Sequence, residues 1–270
     1  MVLKALTKIS PYFEQQGSGP PIVFIHGSYA TTSTWRKMVE QLSNHYHCIL
    51  IKLPGHCGTP EPSDFSNPSI ETELTLLEQV VTALTDQPVH LVGHSVGASI
   101  ALAQAIKGNL KLRKVTLFEP VSVWVLRRAE DHEMANRVDT FLSTYRRDAA
   151  NKAPYVCGQV IDFWAGEGAF DSLPDFIKQG MEPLVENNIR HWDMDLSTSY
   201  TLLDLKSCTV PIQLVCGTES NPVANAICEH LSEHLPNSDK HVIDGASHFL
   251  VTSHVEKCLR VLGLNSDIEP

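Results

Sequence analysis

Val89-His90-Leu91-Val92-Gly93-His94-Ser95-Val96-Gly97-Ala98 is the stretch on which the fold turns. Residues with a strand pattern run into the pentapeptide Gly93 to Gly97, and an Ala-rich run without Gly or Pro follows from Ala98 to Lys107. A strand, a sharp turn and a helix form the context in which G-x-S-x-G becomes a nucleophile elbow. Such a turn forces the central serine into a strained backbone conformation. Gly93 and Gly97 then stand where side chains would collide with the neighbouring strand and helix. Ser95 is the candidate nucleophile, with its hydroxyl held clear of the sheet and the next helix N-terminus aimed at developing negative charge.

Upstream, Ile22-Val23-Phe24-Ile25 is the continuous apolar run of a strand buried on both faces of a parallel sheet. It ends in His26-Gly27-Ser28-Tyr29, where a glycine lets the backbone turn so that the next amide faces the nucleophile. The amides of Ser28 and Val96 are therefore assigned as the oxyanion hole. Residues 1 to 21 read as an edge hairpin closing at Gly17-Ser18-Gly19-Pro20-Pro21. Thr32 or Ser33 is expected to cap a helix with Trp35, Met38, Val39 and Leu42 on one stripe. Cys48 to Leu53 is the next strand, and Asn67-Pro68 opens a helix carrying Leu74, Leu77, Val80, Val81 and Leu84. Downstream of the pentapeptide, Lys114 to Phe118 is a strand that runs into Glu119-Pro120. Strands alternating with amphipathic helices predict a doubly wound, mostly parallel α/β sheet.

From 121 to 204 the pattern changes to helical stripes alone: Met134, Val138, Phe141, Leu142 and Tyr145; then Val156, Val160, Phe163 and Trp164; then Phe176, Ile177, Leu184 and Val185. An all-helical insertion between two strands reads as a lid over the site. Sheet logic resumes at Pro211 to Gly217, followed by a helix near Ala224 to Leu235 and a strand at Lys240 to Ile243. Asp244-Gly245-Ala246-Ser247-His248 comes next, with a closing helix carrying Val255, Leu259 and Leu262. The expected division is a core of 1–120 with 205–270, and a helical cap of 121–204.

Composition bounds the rest. With 43% hydrophobic and 19% charged residues the chain is of ordinary globular type. A formal net charge of -10 argues against nucleic acid or an anionic membrane as partner. Nothing at the N-terminus has the form of a signal peptide, and no apolar run is long enough to span a bilayer. The seven cysteines are scattered and lack C-x-x-C spacing, so they read as reduced thiols of a cytoplasmic protein, with no metal site. Of the 13 histidines only His26 and His248 lie in a motif context.

Taken in order, His26-Gly27-Ser28, Gly93-His94-Ser95-Val96-Gly97 and Gly245-Ala246-Ser247-His248 give the chain a plain resemblance to the α/β-hydrolases with a helical cap. Leu53-Pro54-Gly55-His56 also resembles the family's loop after its second central strand. The resemblance implies that His248 is the base serving Ser95 in acyl transfer. It also implies an acid. The family usually carries an aspartate a few residues beyond the glycine of the Gly217 strand, but Ser220 stands there, with Asn221 next. Some relatives, certain haloalkane dehalogenases among them, place their acid at the end of the strand after the elbow helix, and Leu117-Phe118-Glu119-Pro120 resembles that arrangement. Glu119 is accordingly preferred to Glu219.

Serine at 95, where the dehalogenases and epoxide hydrolases of this fold use aspartate, argues against both of those activities and favours esters, thioesters, lactones or carbon–carbon hydrolysis. The lid's apolar composition suggests a small to medium, hydrophobic acyl group, and an ester of that kind is the preferred reading. Tyr29, His94 and Trp124 are the candidate substrate-binding residues, no cofactor is implied, and a homodimer stays open. Two other readings compete. A carbon–carbon bond hydrolase of ring-cleavage products would need a basic or polar clamp for a substrate carboxylate, such as Arg127, Arg128 or Arg190 facing Ser95. A non-catalytic ligand receptor would have kept only the fold and pocket.

Overall fold

The computed structural model describes residues 9–263. Its centre is a seven-stranded sheet of order β1-β3-β2-β4-β5-β6-β7. The strands are β1 (Phe13–Gln16), β2 (Pro21–Ile25), β3 (His47–Ile51), β4 (Val89–His94), β5 (Leu112–Phe118), β6 (Ile212–Gly217) and β7 (Ser238–Ile243). All neighbours from β3 to β7 pair in parallel. Only β1 is antiparallel, with Phe13 opposite Ile51.

The apolar runs form central strands because alternate residues serve two cores. Val23, Ile25, Ile49, Leu91, Val115 and Leu117 face one layer. Their neighbours Ile22, Phe24, Cys48, Leu50, Val92 and Phe118 face the other. That second layer is closed by α1 (Arg36–Leu42) and, at the far end of the chain, by α12 (Val255–Leu262), whose Val255, Cys258, Leu259 and Leu262 form one buried stripe. The first layer is closed by α2 (Ile70–Leu84), α3 (Val96–Lys107) and α10 (Pro222–His234). All seven cysteines are free and six are buried.

Between β5 and β6 every α or β element is a helix. In order these are α4 (Trp124–Arg128), α5 (His132–Ala150), α6 (Cys157–Ala165), α7 (Asp175–Met181), α8 (Val185–Leu196) and α9 (Leu202–Ser207). Val138, Leu142, Tyr145, Trp164 and Trp192 of this insertion share the core of the first layer. The four-residue helix α11 (Leu250–Ser253) precedes α12. No helix among the described residues is long and apolar enough to cross a membrane.

Several local expectations change. The expected edge hairpin falls in part on residues 1–8, which lie outside the described residues; within these, β1 pairs with β3 rather than with β2. Both edges of the fully buried β2 are taken by β3 and β4, so β1 finds its partner one strand further out. The cap before α1 is Thr31, whose Oγ1 accepts the Ser33 amide at 3.2 Å, and the first turn, Thr32–Trp35, is a 3-10 turn. Ser69 caps α2 rather than the Asn67-Pro68 pair. The third apolar stripe of the insertion is broken at Glu182–Leu184, where Pro183 cannot donate to continue α7. Phe176, at the start of α7, is 71% exposed rather than on a buried stripe.

The order of the sheet reverses direction at β2 and β4, so the loops leaving these two strands diverge and open a crevice. Ser95 sits at that point with φ 57° and ψ −125°, the strained elbow expected of the pentapeptide. Its glycines are obligatory. A Cβ on Gly93 would lie 2.3 Å from the Gly97 carbonyl oxygen, and one on Gly97 would lie 2.3 Å from that of Ile25. Both obstacles are backbone of central elements and cannot swing aside. Gly97→Ala is expected to destabilise the fold by about 2–3 kcal/mol or more, read as a lower midpoint in urea unfolding.

Candidate active site

The loop after β2 passes directly against the elbow, since a Cβ placed on Gly27 would lie 3.1 Å from Ser95 Cβ. The elbow itself is pinned by the Ser95 amide donating to Phe118 O at 3.0 Å. Neither the Ser28 nor the Val96 amide, the two expected oxyanion donors, donates to an acceptor among the described residues. Ser28 is held from its other side. Its Oγ accepts from Asn188 Nδ2 at 3.0 Å and bonds to His191 Nδ1 at 2.8 Å. Both partners belong to α8. His26, the other motif histidine, faces away from the cavity described below. Leu53 N–H donates to its Nε2 at 3.3 Å, which leaves Nδ1 to donate to Gly27 O at 2.7 Å. Full burial pushes its pKa down to about 3, so it is a neutral strut for the loop.

His248 follows β7 through the turn at Gly245 (φ 73°). Its Nδ1 donates to Glu119 Oε2 at 2.7 Å, and its Nε2 has no hydrogen-bond partner among the described residues. The ring is clamped between Trp164, stacked with centroids 5.6 Å apart, and His94, 4.8 Å away. His94 Nε2 donates to His248 O at 2.8 Å. Ser95, His94 and His248 all line one cavity of about 660 Å³. Ser95 Oγ and His248 do not hydrogen-bond to each other here, and catalytic contacts of this kind commonly close only around a substrate.

Glu119 is wholly buried and adopts a left-handed φ of 46° just past β5. Its Oε1 accepts from the Gly217 amide at 2.9 Å and from the Ser220 hydroxyl. A buried carboxylate without Lys or Arg beside it requires such donors. Glu219 is exposed.

A profile of the alpha/beta hydrolase fold matches residues 20–255. The chain belongs to the α/β-hydrolase fold family. Among its relatives, a pimeloyl-acyl-carrier-protein methyl ester esterase of Aeromonas hydrophila is 25% identical over 266 residues, 92% of this chain and 96% of the relative. An (E)-2-((N-methylformamido)methylene)succinate hydrolase of Acinetobacter baylyi is 34% identical over 101 residues, 35% of this chain. The match covers 35% of that relative's own length, and the same share of a putative 2-succinyl-6-hydroxy-2,4-cyclohexadiene-1-carboxylate synthase of Haemophilus influenzae, 36% identical over 90 residues. An esterase structure from Exiguobacterium antarcticum superposes with a TM-score of 0.72 at 20% identity, covering 93% of each chain.

In this α/β hydrolase the side chain standing where the family usually keeps its aspartate, Ser220, thus bonds to a glutamate borne on the neighbouring strand. Of the expected substrate-binding residues, Tyr29 lines the cavity, with its hydroxyl tied to that of Tyr145 at 2.8 Å. His94 lines it too, but its Nε2 is spent on the His248 carbonyl, and burial holds its pKa near about 3. Trp124 does not line the cavity. Its indole packs edge-on to Tyr200 with centroids 6.2 Å apart, and only its backbone amide points toward the site, to Asp195 Oδ2 at 3.3 Å.

One contributor was missed entirely. Asn188, His191, Trp192 and Asp195 recur at helical spacing along α8, and all four line the cavity. No lysine or arginine among the described residues does. Arg127 pairs with Asp139, Arg128 reaches Tyr200 O, and the buried Arg190 is held by Glu73 and Asp64.

Burial without a cation pushes the Asp195 pKa up from the usual carboxylate range to about 8. A carboxyl whose folded pKa is raised supports the fold fully while it is protonated in both states, and that support is lost as pH rises through the folded value. Asp195→Asn abolishes this titration. The melting temperature of the variant relative to wild type is therefore expected to climb by several degrees between pH 4 and pH 8, measured by thermal melts across that range.

Proposed function

We propose that the chain is a serine carboxylic-ester hydrolase acting through an acyl-enzyme on Ser95. The observation that carries this reading is the 2.7 Å bond from His248 Nδ1 to a buried, doubly held Glu119, on the cavity that also contains the strained Ser95. With Nδ1 donating to Glu119, His248 Nε2 is the basic nitrogen. It takes the Ser95 proton as Oγ attacks the ester carbonyl, and Glu119 stabilises the resulting imidazolium. The Ser28 and Val96 amides receive the oxyanion, a contribution on the order of 3 kcal/mol for each donor. His248 then protonates the departing alkoxide, and water repeats the sequence to free the acid. Helices 121–204 act as the lid, with Trp164 and Trp192 walling the acyl site.

The substrate is a small to medium, uncharged ester. A cavity of about 660 Å³ suits a molecule of that size. Its walls offer no cation to a substrate carboxylate, and the three arginines that could have clamped one are engaged elsewhere. This favours ester cleavage over carbon–carbon cleavage of acidic ring-fission products. The Aeromonas hydrophila relative, an esterase by name, supports the same choice.

The test is a series of p-nitrophenyl esters from acetate to dodecanoate, with carboxylate-tipped counterparts. The kcat/KM is expected to peak between butyrate and octanoate and to fall at least about 10-fold when a carboxylate is added to the acyl end. A preference for the anionic esters would reverse the substrate assignment.

A further inference from the structure

α8 is an unusual buried helix. Asn187, Asn188, Arg190, His191 and Asp195 are all polar, and each is at most 5% exposed. Most of these side chains have partners that account for them. Arg190 is neutralised by Glu73 and Asp64, while Asn188 and His191 grip Ser28. Asp195 is not accounted for. It lies on the cavity-lining face of α8, and its partners are the backbone amides of Trp124, at 3.3 Å, and Val123.

Backbone N–H groups donate and cannot accept. They satisfy a carboxyl as an acceptor but leave the proton of a carboxylic acid without a home. Asp195 has no cation beside it to keep it ionised, and its burial favours the neutral acid near pH 7. The contacts shown for its carboxyl are these two backbone N–H groups, both donors. A buried donor so placed on the cavity wall discriminates strongly, because a polar group left unmet there is costly.

We infer that Asp195 is a specificity-determining residue that donates a hydrogen bond from its carboxylic acid to an uncharged oxygen on the substrate, so that the preferred esters carry a keto, hydroxyl or amide oxygen on their apolar part. The inference rests on the serine-hydrolase reading and narrows its substrate class. A plain fatty acyl chain leaves the donor unmet. A carboxylate in the same place meets a second acid with no cation to offset it.

The experiment compares p-nitrophenyl octanoate with its 5-, 6- and 7-oxo derivatives, whose ketones are too far from the ester to change its intrinsic reactivity. Wild type is expected to prefer at least one oxo ester over octanoate by about 5-fold or more in kcat/KM. Asp195→Asn, which keeps both an acceptor for the Trp124 amide and a donor into the cavity, is expected to keep that ratio. Asp195→Leu is expected to bring the ratio to about one. The ratio is taken within each variant, so a partial loss of folded protein does not distort it. If Asp195 only caps the start of α4, the leucine variant keeps the wild-type ratio and the inference fails. It fails equally if wild type hydrolyses octanoate but prefers no oxo ester. Hydrolysis of none of these esters by wild type would instead remove the underlying hydrolase reading.

Discussion

Glu119→Gln is expected to lower kcat for p-nitrophenyl butyrate by on the order of 10³–10⁴-fold, while Glu219→Gln stays within about twofold of wild type. The difference follows from what each carboxylate touches. Glu119 Oε2 holds His248 Nδ1 at 2.7 Å, and its other oxygen is pinned by the Gly217 amide and the Ser220 hydroxyl. An amide in its place can turn its NH₂ toward Nδ1, which then becomes the accepting nitrogen. The proton moves to Nε2, and the base facing the cavity is lost. The negative charge that balances the imidazolium disappears in the same step. Glu219 is exposed and bears on neither effect. Near-normal turnover in Glu119→Gln would require another acid, and the assignment would fall.

The larger loss is expected from Ser95→Ala: kcat should drop by on the order of 10⁵-fold or more, to the background that binding and the oxyanion amides sustain unaided. The fold should survive, because alanine tolerates the elbow about as well as serine does. The Ser95 amide still donates to Phe118 O, and Gly93 and Gly97 still give the room the turn needs. A matching urea midpoint for the variant would show that chemistry, not structure, was removed. Substantial turnover in a folded Ser95→Ala protein would mean that no acyl-serine forms.

Local chemistry is what made the elbow legible. Gly93 and Gly97 encode a close approach between neighbouring pieces of backbone, and the apolar runs around them encode burial on two faces. Glu119 was singled out by resemblance to relatives that carry an acid at the end of this strand, and the structure pairs it with His248. The interaction of Ser220 with Glu119 could not be read, because it depends on two loops 101 positions apart meeting in space. The pairing of β1 with β3 was missed on the same grounds, as strand partners are chosen by which sheet edges remain open.

α8 failed to announce itself because polar residues on an amphipathic helix are ordinarily assigned to water. Asn188 and His191 are buried because the helix lies over the loop after β2, where both bond Ser28, and Asp195 is buried against the start of α4, with Arg190 anchored to Glu73 and Asp64. Their spacing at 188, 191, 192 and 195 was the available signal. Trp124 went the other way. Its position soon after β5 placed it near the site, but chain proximity does not set side-chain direction, and Tyr200 took the indole.

The account stands on one hydroxyl made nucleophilic at the elbow, and covalent labelling examines it without assuming a substrate. After treatment with a fluorophosphonate and digestion, mass spectrometry is expected to find one phosphonylated residue, Ser95, with labelling strongly slowed in His248→Ala. An unmodified Ser95 peptide in folded wild-type protein, or an adduct on another residue in its place, would contradict the account.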